Sequence, residues 1–316
     1  MLSKNSKIYI AGHRGMVGGA LLRRLAAAGY GELLTATHAQ LDLRDQAAVR
    51  AFFGRERPDV VLLAAARVGG ILANSTRPAE FLYDNLMIGA NVIQAAQEVG
   101  VQKLLNLGSS CIYPKLAPQP LREEYLLTGP LEETNRAYAV AKIAAIELCD
   151  HYRTQYGSDF ISAMPTNLYG PGDNFDLNSS HVMPALMRKM VEAHEKGAPS
   201  VDVWGSGGPL REFLHVDDLA DACLFLLENV SRPGPINVGT GTDLSIRALA
   251  ELMAELVGFG GELVFDASKP DGTPRKLMDV SLLASLGWTA RIGLRQGVQQ
   301  TLDWYTQERQ LGLVRA

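Results

Sequence analysis

Residues 7–18 of the chain read KIYIAGHRGMVG, and this stretch decides the fold. A short apolar run is followed at once by a turn with glycines at positions 12, 15 and 18, and then by a helical pattern. Glycine permits the tight turn, lets the backbone approach a pyrophosphate, and packs a helix closely against a strand. The start of the helix then offers free N–H groups to the anion.

The spacing G-x-x-G-x-x-G differs from the commoner G-x-G-x-x-G, and a lone glycine triplet is a weak signal. Its place between a first strand and a first helix is the context that supports dinucleotide binding. We therefore predict that the whole turn binds a dinucleotide cofactor. The residues of this turn are Gly12, His13, Arg14, Gly15, Met16, Val17 and Gly18.

Four more apolar runs alternate with helical patterns as far as residue 165. The runs are 33–37, 59–65, 103–109 and 160–165, and the helical patterns are 16–29, 45–55, 77–99 and 134–156. Continuous apolar runs suit strands that are buried on both faces of a parallel sheet, and the helices are long enough for right-handed crossovers. We predict an α/β fold with a Rossmann-like doubly wound parallel sheet, which binds ligands at the carboxyl ends of its strands.

The pattern changes after Pro165, where loops become frequent. The expected elements are a loop at 166–181, a helix at about 182–196, a strand near 201–204, a basic loop at 206–215, a helix at 217–230, a strand at 236–240 and a charged loop at 266–279. We predict a dinucleotide-binding domain and a smaller, discontinuous C-terminal α/β substrate domain, with the ligand site in the cleft between them. The first comprises residues 1–170, to which 215–240 return, and the second comprises 171–214 and 241–316.

Composition narrows the class of protein. The 316 residues carry a net charge of −4, which gives no support for nucleic acid or an anionic membrane as a partner. No apolar stretch approaches the roughly 20 residues of a membrane span, and the first residues do not resemble a signal peptide. Three widely spaced cysteines argue for a reducing compartment, so we expect a cytoplasmic protein. No metal site is predicted.

Tyr138 and Lys142 lie four residues apart, which places a phenol and an ammonium on one face of the helix at 134–156. A neighbouring cation favours the phenolate, so the pair is expected to exchange a proton with a substrate oxygen near neutral pH. An exposed helix pair is the plainer alternative. Because the pair follows the fourth strand of a predicted dinucleotide fold, it indicates a redox enzyme.

Ser109 and Cys111 lie at the carboxyl end of that fourth strand, where a substrate is expected. A serine hydroxyl there can donate a hydrogen bond to a carbonyl oxygen whose negative charge grows during reaction. Cys111 is a candidate general base, since a modest lowering of its pKa would leave it partly ionised, or else a small buried apolar residue. His181 is a candidate acid–base partner, with a capping or structural role as the alternative.

Cofactor choice normally depends on the end of the second strand, where an acid binds a 2′-hydroxyl or an Arg binds a 2′-phosphate. Residues 35–40 contain neither. Arg14 and His38 are the cations expected near a phosphate, although Arg14 also suits a solvated surface. We predict NADP.

Nine segments together resemble the GDP-L-fucose synthase family of extended short-chain dehydrogenases/reductases, nearly from end to end. They are AGHRGMVG (11–18), AAARVGGI (64–71), LGSSCIYP (107–114), YAVAK (138–142), MPTNLYGPGDNF (164–175), SHVMPAL (180–186), VWGSGGPLREFLHVDD (203–218), NVGTG (237–241) and DASKPDGTPRK (266–276). The segments around 109–115 and 204–218 are far more specific than the glycine turn, which the whole superfamily shares.

The resemblance implies an enzyme that converts GDP-4-keto-6-deoxy-D-mannose to GDP-L-fucose by 3,5-epimerisation and then NADPH-dependent 4-reduction. It implies that Cys111 is the base and His181 the acid of epimerisation. Ser109 and Tyr138 would bind the C4 oxygen, and Tyr138 would donate the proton during reduction. Lys142 would tune Tyr138 and contact the nicotinamide ribose.

The resemblance also implies binding residues. Beyond the turn, the implied cofactor residues are His38, Leu41, Asp42, Leu43, Leu107, Gly108, Ser110, Pro165, Thr166, Asn167 and Leu168; the implied substrate residues are Lys189, Trp204, Arg211 and Asp271. Trp204 offers a stacking face and Arg211 a fork suited to a diphosphate, with a core Trp and a surface ion pair as the alternatives.

Two positions depart from the family pattern. Lys189 stands where an Arg is familiar, which keeps the charge without bidentate geometry. Ala36 replaces an Arg that holds the 2′-phosphate in some members, so NAD is also possible.

Family members form homodimers through two long helices, which match 77–99 and 134–156. Ile88, Val92, Ile146 and Leu148 would line that seam or face the sheet.

Two alternative functions remain. A 4-epimerase or 4,6-dehydratase would retain NAD and need no Cys–His pair, and a redox-sensing binding protein need not keep the Ser–Tyr–Lys set.

Overall fold

The computed structural model describes residues 2–177, 179–269 and 271–314. The strands, in chain order, are β1 (Ile8–Ala11), β2 (Leu33–Leu34), β3 (Val60–Leu63), β4 (Lys103–Leu107), β5 (Phe160–Pro165), β6 (Asn167–Tyr169), β7 (Ser200–Trp204), β8 (Leu210–His215), β9 (Pro235–Val238), β10 (Asp243–Ser245), β11 (Glu262–Asp266) and β12 (Arg275–Lys276). The α-helices are α1 (Met16–Ala27), α2 (Gln46–Glu56), α3 (Ile71–Thr76), α4 (Pro78–Val99), α5 (Arg136–Tyr156), α6 (Val182–Glu195), α7 (Val216–Asn229), α8 (Ile246–Val257), α9 (Ser281–Leu286) and α10 (Leu294–Gln310).

A six-stranded parallel sheet with the order β2-β1-β3-β4-β5-β9 forms the larger part of the fold. The chain moves from β1 to β2 on one side and then crosses to β3 on the other, where Ala11 pairs with Leu63. The strand order therefore reverses at β1, and the crevice that this reversal opens lies at the glycine turn. The predicted doubly wound parallel sheet is confirmed.

Both faces of this sheet are covered by helices, which explains its continuous apolar strands. On one face Ile8 and Ile10 pack against α1 and α7. On the other, Tyr9 packs against Phe53 of α2 and Val92 of α4. Successive strand residues point to opposite faces, so a strand between two helical layers has to be apolar throughout.

A smaller set of strands lies beyond β5. β8 pairs antiparallel with β10 and parallel with β6 and β12, while β7 pairs with β11. Helices α6, α8 and α10 share a separate apolar core with these strands, which includes Met187, Leu249 and Val298. Loops were predicted at 206–215, 166–181 and 266–279, but β8, β6 and β12 form within them. Pairing on both sides of β8, together with burial of Phe213 and Leu214, outweighs its polar composition.

Residues 215–240 contribute α7 and β9 to the large sheet, since α7 packs on α1 and β9 pairs with β5. Leu283 and Trp288 also pack into the core of the large sheet, although they belong to the range 241–316. The predicted division into two domains stays a prediction. No helix in the described ranges is long and apolar enough to cross a membrane.

The glycine turn allows a stability test. Gly12 has φ +90°, and a Cβ there would lie 2.7 Å from the backbone N of Ala65; Gly29 has φ +83° with open space around it. Gly29→Ala should lower the free energy of unfolding by about 1 to 2 kcal/mol through its backbone conformation alone. Gly12→Ala should cost roughly 1 to 3 kcal/mol more because of the overlap. Urea unfolding of both variants measures the difference, and equal losses would contradict the packing described for the turn.

Candidate active site

The glycine turn is built to approach an anion closely. The N–H of Gly15 donates to the Gly12 carbonyl at 3.0 Å, and α1 begins at the next residue without a side-chain cap. The first N–H groups of α1 are therefore free to bind a ligand. Within the described chain, buried His13 Nδ1 has no hydrogen-bond partner. An open helix start, a backbone without Cβ at Gly12 and an orphaned ring nitrogen fit the pyrophosphate end of a dinucleotide.

After β2, Ala36 and His38 have different surroundings. Ala36 packs against the core beneath the sheet, whereas the His38 side chain is 75% exposed, with Nδ1 3.9 Å from Asp42 Oδ1. Asp42 is bound by Arg44, with Nη2 2.8 Å from Oδ2, and this pairing lowers the pKa of Asp42 to about 2. Position 36 therefore faces protein, whereas Arg14 and His38 are exposed. The nearby predicted residues Leu41 and Leu43 are buried in the same core.

The other predicted cofactor residues lie at the carboxyl ends of β4 and β5, namely Leu107, Gly108, Ser110, Pro165, Thr166, Asn167 and Leu168. Two of these are tied to β8, since Thr166 Oγ1 and Asn167 Nδ2 donate to the Glu212 carbonyl at 3.4 and 2.8 Å. Leu168 packs against the core of the large sheet. Contacts within the protein therefore hold the segment after β5 in place without a ligand.

Ser109 lies between the two predicted reactive side chains. Its hydroxyl caps the short 3-10 helix Ser110–Ile112 by accepting from the Cys111 N–H at 3.5 Å. Burial raises the pKa values of the Cys111 thiol and the Tyr138 phenol, and hydrogen bonds with the same hydroxyl oppose both shifts. The structure thus brings Ser109, Cys111 and Tyr138 together from β4 and α5.

Lys142 is buried one helical turn after Tyr138. Its Nζ donates to the Leu107 carbonyl at 2.8 Å and lies 5.8 Å from the centroid of the Tyr138 ring. Burial lowers the pKa of Lys142 to about 8, opposed by the nearby Cys111. The amine therefore changes charge within the range in which enzymes work.

One expectation about acidity was wrong. Lys142 was expected to lower the pKa of Tyr138, but desolvation raises it, assisted by Cys111. A modest lowering of the Cys111 pKa would have favoured a general base, but burial raises it, although Lys276, Ser109 and Lys142 oppose the shift. In both cases the enclosed surroundings disfavour the charged form. Tyr138 is therefore a protonated donor at neutral pH.

His181 lies at the residue before α6 and makes no side-chain capping hydrogen bond there, so the capping alternative is wrong. The residue keeps exposed surface. Desolvation lowers the pKa of His181, and the positive charge of Lys276 lowers it further.

Lys276 is a site residue that the sequence analysis missed. It lies on β12 directly opposite Arg211 of β8, and its charge acts on both Cys111 and His181. Burial and Arg211 lower the pKa of Lys276, while Cys111 raises it. The only signal in the sequence was its place at the end of a segment interpreted as a charged loop.

Two of the predicted substrate residues form an exposed face beside the cleft. Trp204 ends β7 with 58% of its surface exposed, so the alternative of a core Trp is wrong. Lys189 Nζ lies 5.4 Å from the ring centroid and donates to the Asp202 carbonyl at 3.0 Å. Lys269 Nζ, which was not predicted, lies 5.5 Å from the same ring. An indole face flanked by cations suits stacking of an anionic nucleotide.

Arg211 and Asp271 meet through the backbone. Arg211 donates to the carbonyls of Leu210 at 2.8 Å and Asp271 at 3.3 Å, and burial lowers the pKa of the guanidinium. The Asp271 carboxylate accepts from Ser206 N at 2.7 Å and Ser206 Oγ at 2.8 Å. The Asp271 carboxylate therefore stabilises the loop after β7. Both of these hydrogen bonds of Arg211 are to backbone carbonyl oxygens. Across the described ranges no His, Cys, Asp and Glu side chains are grouped to hold a metal ion.

Comparisons with known proteins agree with this geometry. Residues 8–239 match the model of the NAD dependent epimerase/dehydratase family. The chain is 60% identical to GDP-L-fucose synthase 1 of Arabidopsis thaliana, covering 96% of this chain and 94% of the relative. It is 55% identical to GDP-L-fucose synthase of Escherichia coli K12, covering 95% and 96%.

A solved structure of a GDP-L-fucose synthetase from Naegleria fowleri bound to NADP superposes with a TM-score of 0.92, at 31% identity and with 100% of this chain and 96% of that chain covered. The shared fold and these identities over nearly the full length establish the family. The chain belongs to the NAD dependent epimerase/dehydratase family and, within it, to the GDP-L-fucose synthases.

Proposed function

We propose that the chain converts GDP-4-keto-6-deoxy-D-mannose to GDP-L-fucose, by epimerisation at C3 and C5 followed by NADPH-dependent reduction at C4. The observation that carries this proposal is the Ser109 hydroxyl, which contacts both a cysteine and a tyrosine in one cluster. An enzyme that only reduces a ketone needs the tyrosine but not the cysteine. A thiol that acts together with an imidazole can move protons to and from a carbon atom. The relatives are named GDP-L-fucose synthase, which supports a GDP-sugar as the substrate.

In epimerisation, Cys111 acts as the base and His181 as the acid. The C4 ketone acidifies the hydrogens at C3 and C5, so the thiolate removes a proton and an enolate forms with its charge on the C4 oxygen. Hydroxyl donors at that oxygen, Ser109 and Tyr138, stabilise the charge. His181 returns a proton to the opposite face of the carbon, and the same exchange follows at the second carbon.

Desolvation disfavours both the thiolate of Cys111 and the imidazolium of His181. The reacting pair carries both charges, because one proton has moved from sulfur to the ring. Lys276 opposes the burial penalty on the thiolate, because its charge lowers the pKa of Cys111. A second amine, Lys142, acts in the same direction.

In reduction, the dinucleotide when bound supplies a hydride for C4. Tyr138 gives its phenolic proton to the C4 oxygen, which suits a phenol whose raised pKa keeps it protonated. The Lys142 ammonium, anchored on the Leu107 carbonyl, stabilises the phenolate that remains. Ser109 keeps the oxygen in place during both halves of the reaction.

The cofactor is NADP(H), supported by the structural neighbour that binds it. We propose that the turn from Gly12 to Gly18 binds the pyrophosphate and that Arg14 and His38 bind the 2′-phosphate. Both residues are exposed beyond the ends of β1 and β2. The packing of Ala36 against the core favours these two over position 36.

We propose that the second set of strands binds the GDP moiety. Trp204 would stack the base, and Arg211, Lys189 and Lys276 would face the diphosphate charge. The division at residues 170, 215 and 240 remains part of this proposal, and its support is the separate core shared by α6, α8 and α10. A cytoplasmic location, expected from the cysteines, stays a prediction.

We also propose a homodimer formed by the outer faces of α4 and α5. Val92 and Ile146 are buried in the chain's own core, so the seam cannot use them. The same two helices expose Tyr83, Leu86 and Val140, which together provide an apolar surface.

The function is tested with GDP-4-keto-6-deoxy-mannose, NADPH and deuterated water. The wild type should consume NADPH and give GDP-L-fucose labelled at C3 and C5. Cys111→Ser should reduce C3 and C5 exchange by about 100-fold while leaving some direct reduction, and Tyr138→Phe should reduce hydride transfer by about as much while exchange persists. Undiminished exchange in Cys111→Ser, or wild-type reduction in Tyr138→Phe, would refute the assigned roles.

Reduction and exchange should respond differently to pH. Reduction should slow as pH rises through about 8, because Lys142 loses its proton there. Exchange should not fall in step with reduction over this range, because it does not depend on proton donation by Tyr138 and Lys142. Lys142→Arg keeps its charge at high pH and should remove the alkaline fall in reduction. Initial rates from pH 6 to 10 measure this, and a fall that persists in Lys142→Arg would rule out Lys142 as its cause.

The dimer is tested by Leu86→Asp and Val140→Asp in one chain. Two carboxylates in an apolar interface should shift the mass measured by light scattering towards the monomer. Leu313→Asp is the control, because Leu313 is exposed near the end of the described chain, outside α4 and α5. An unchanged mass in the double variant would disprove the proposed seam.

A further inference from the structure

Glu212 is a buried carboxylate that the proposed reaction does not use. It lies on β8 with 0% of its surface exposed. Oε1 accepts from the backbone N–H groups of Thr240 at 2.6 Å and Gly241 at 2.8 Å, and Oε2 accepts from Met278 N at 2.9 Å. Burial raises the pKa of Glu212, while these three amides and Thr166 oppose the shift.

These bonds tie three segments of the chain to one residue. The carboxylate binds the turn after β9, which ends the large sheet, and the segment after β12, which belongs to the smaller sheet. The Glu212 carbonyl accepts from Thr166 and Asn167, in the segment proposed to contact the cofactor. The residue therefore joins both sheets at the cleft.

Two positively charged residues of the site, Arg211 and Lys276, lie next to Glu212 and its hydrogen-bond partners. Arg211 precedes Glu212 on β8, and Lys276 lies opposite Arg211 on β12, two residues before Met278. The intervening Leu277 is bound on its other side, since its N–H donates to Gln119 Oε1 at 2.9 Å. The backbone that follows Lys276 is thus restrained on both sides, which fixes where the backbone of this residue lies relative to Arg211.

We propose that Glu212 is a positioning residue, which holds Lys276 and Arg211 in register so that their charges act on Cys111, His181 and the substrate diphosphate. The identity of the substrate in this inference rests on the proposed function. The structural basis is independent of that function, because the hydrogen bonds of Glu212 join these segments whatever the protein binds.

A matched carboxylate elsewhere separates positioning from simple stability. Asp218 is also buried, and its Oδ2 accepts from Arg291 N at 2.9 Å and Ile292 N at 2.8 Å. It braces a loop beyond α9, on the helix α7 side of the large sheet, and holds no charged residue of the site. Asp218→Asn removes the same kind of interaction.

The test compares Glu212→Gln with Asp218→Asn. A glutamine retains one oxygen for the Thr240 and Gly241 amides, while its NH2 group meets the Met278 N–H, so two donors face each other. The segment that carries Lys276 is thereby released. Glu212→Gln should raise KM for the GDP-sugar about tenfold, the loss expected of an unmade buried hydrogen bond, with KM for NADPH changed less than about twofold.

A second readout needs no turnover. Alkylation of Cys111 by iodoacetamide, followed as a function of pH by mass spectrometry of its peptide, should shift to higher pH in Glu212→Gln, because Lys276 no longer supports the thiolate. Asp218→Asn should lose thermal stability without moving KM or the alkylation profile. If Glu212→Gln behaves in the same way, the proposal is overturned and Glu212 is only structural.

If Glu212→Gln does not fold, Glu212→Asp keeps both acceptors on a shorter side chain and should give the same changes to a smaller degree; an unaltered KM and profile there overturn the proposal. A wild-type protein that fails to turn over the sugar would refute the proposed function. The alkylation comparison would still decide the role of Glu212.

Discussion

The position of β1 inside the parallel sheet is the constraint on which the rest of the structure depends. Because β1 pairs with β2 on one side and β3 on the other, its carboxyl end opens into a crevice. The turn at Gly12 fills the space against Ala65 so closely that a side chain does not fit. The start of α1 is thereby brought to the crevice, while the candidate reactive side chains come from the segment after β4 and from α5.

Burial is the physical effect that sets the chemistry of the site. It raises the pKa values of Cys111 and Tyr138 and lowers those of Lys142 and His181, so that neutral forms are favoured throughout the cluster. Tyr138 is thereby kept in the protonated form that its role needs, and the pKa of Lys142 is moved towards the working pH. The penalty on the thiolate is moderated by cations placed around it, of which Lys276 acts most strongly.

Buried polar side chains join the two sheets around this cluster. Glu212 binds backbone amides from both, and Asn237 of β9 donates to the carbonyls of Leu121 and Asp279 while accepting from the Tyr113 hydroxyl at 2.6 Å. Such groups are costly to bury unless they are fully hydrogen-bonded, which makes the geometry between the sheets specific. These hydrogen bonds therefore fix the relative positions of the segments that carry the charged residues.

The sequence by itself determined the parallel sheet and the glycine turn, and it singled out Ser109, Cys111, Tyr138 and Lys142 as candidate reactive residues, because apolar periodicity and short motifs are local properties of the chain. Only the tertiary structure decided the rest. β8 forms from a polar segment because strands pair on both sides of it. Lys276 reaches the site through that pairing, and the pKa directions follow from desolvation by residues distant in sequence. Pairing and desolvation both depend on neighbours that no local pattern records.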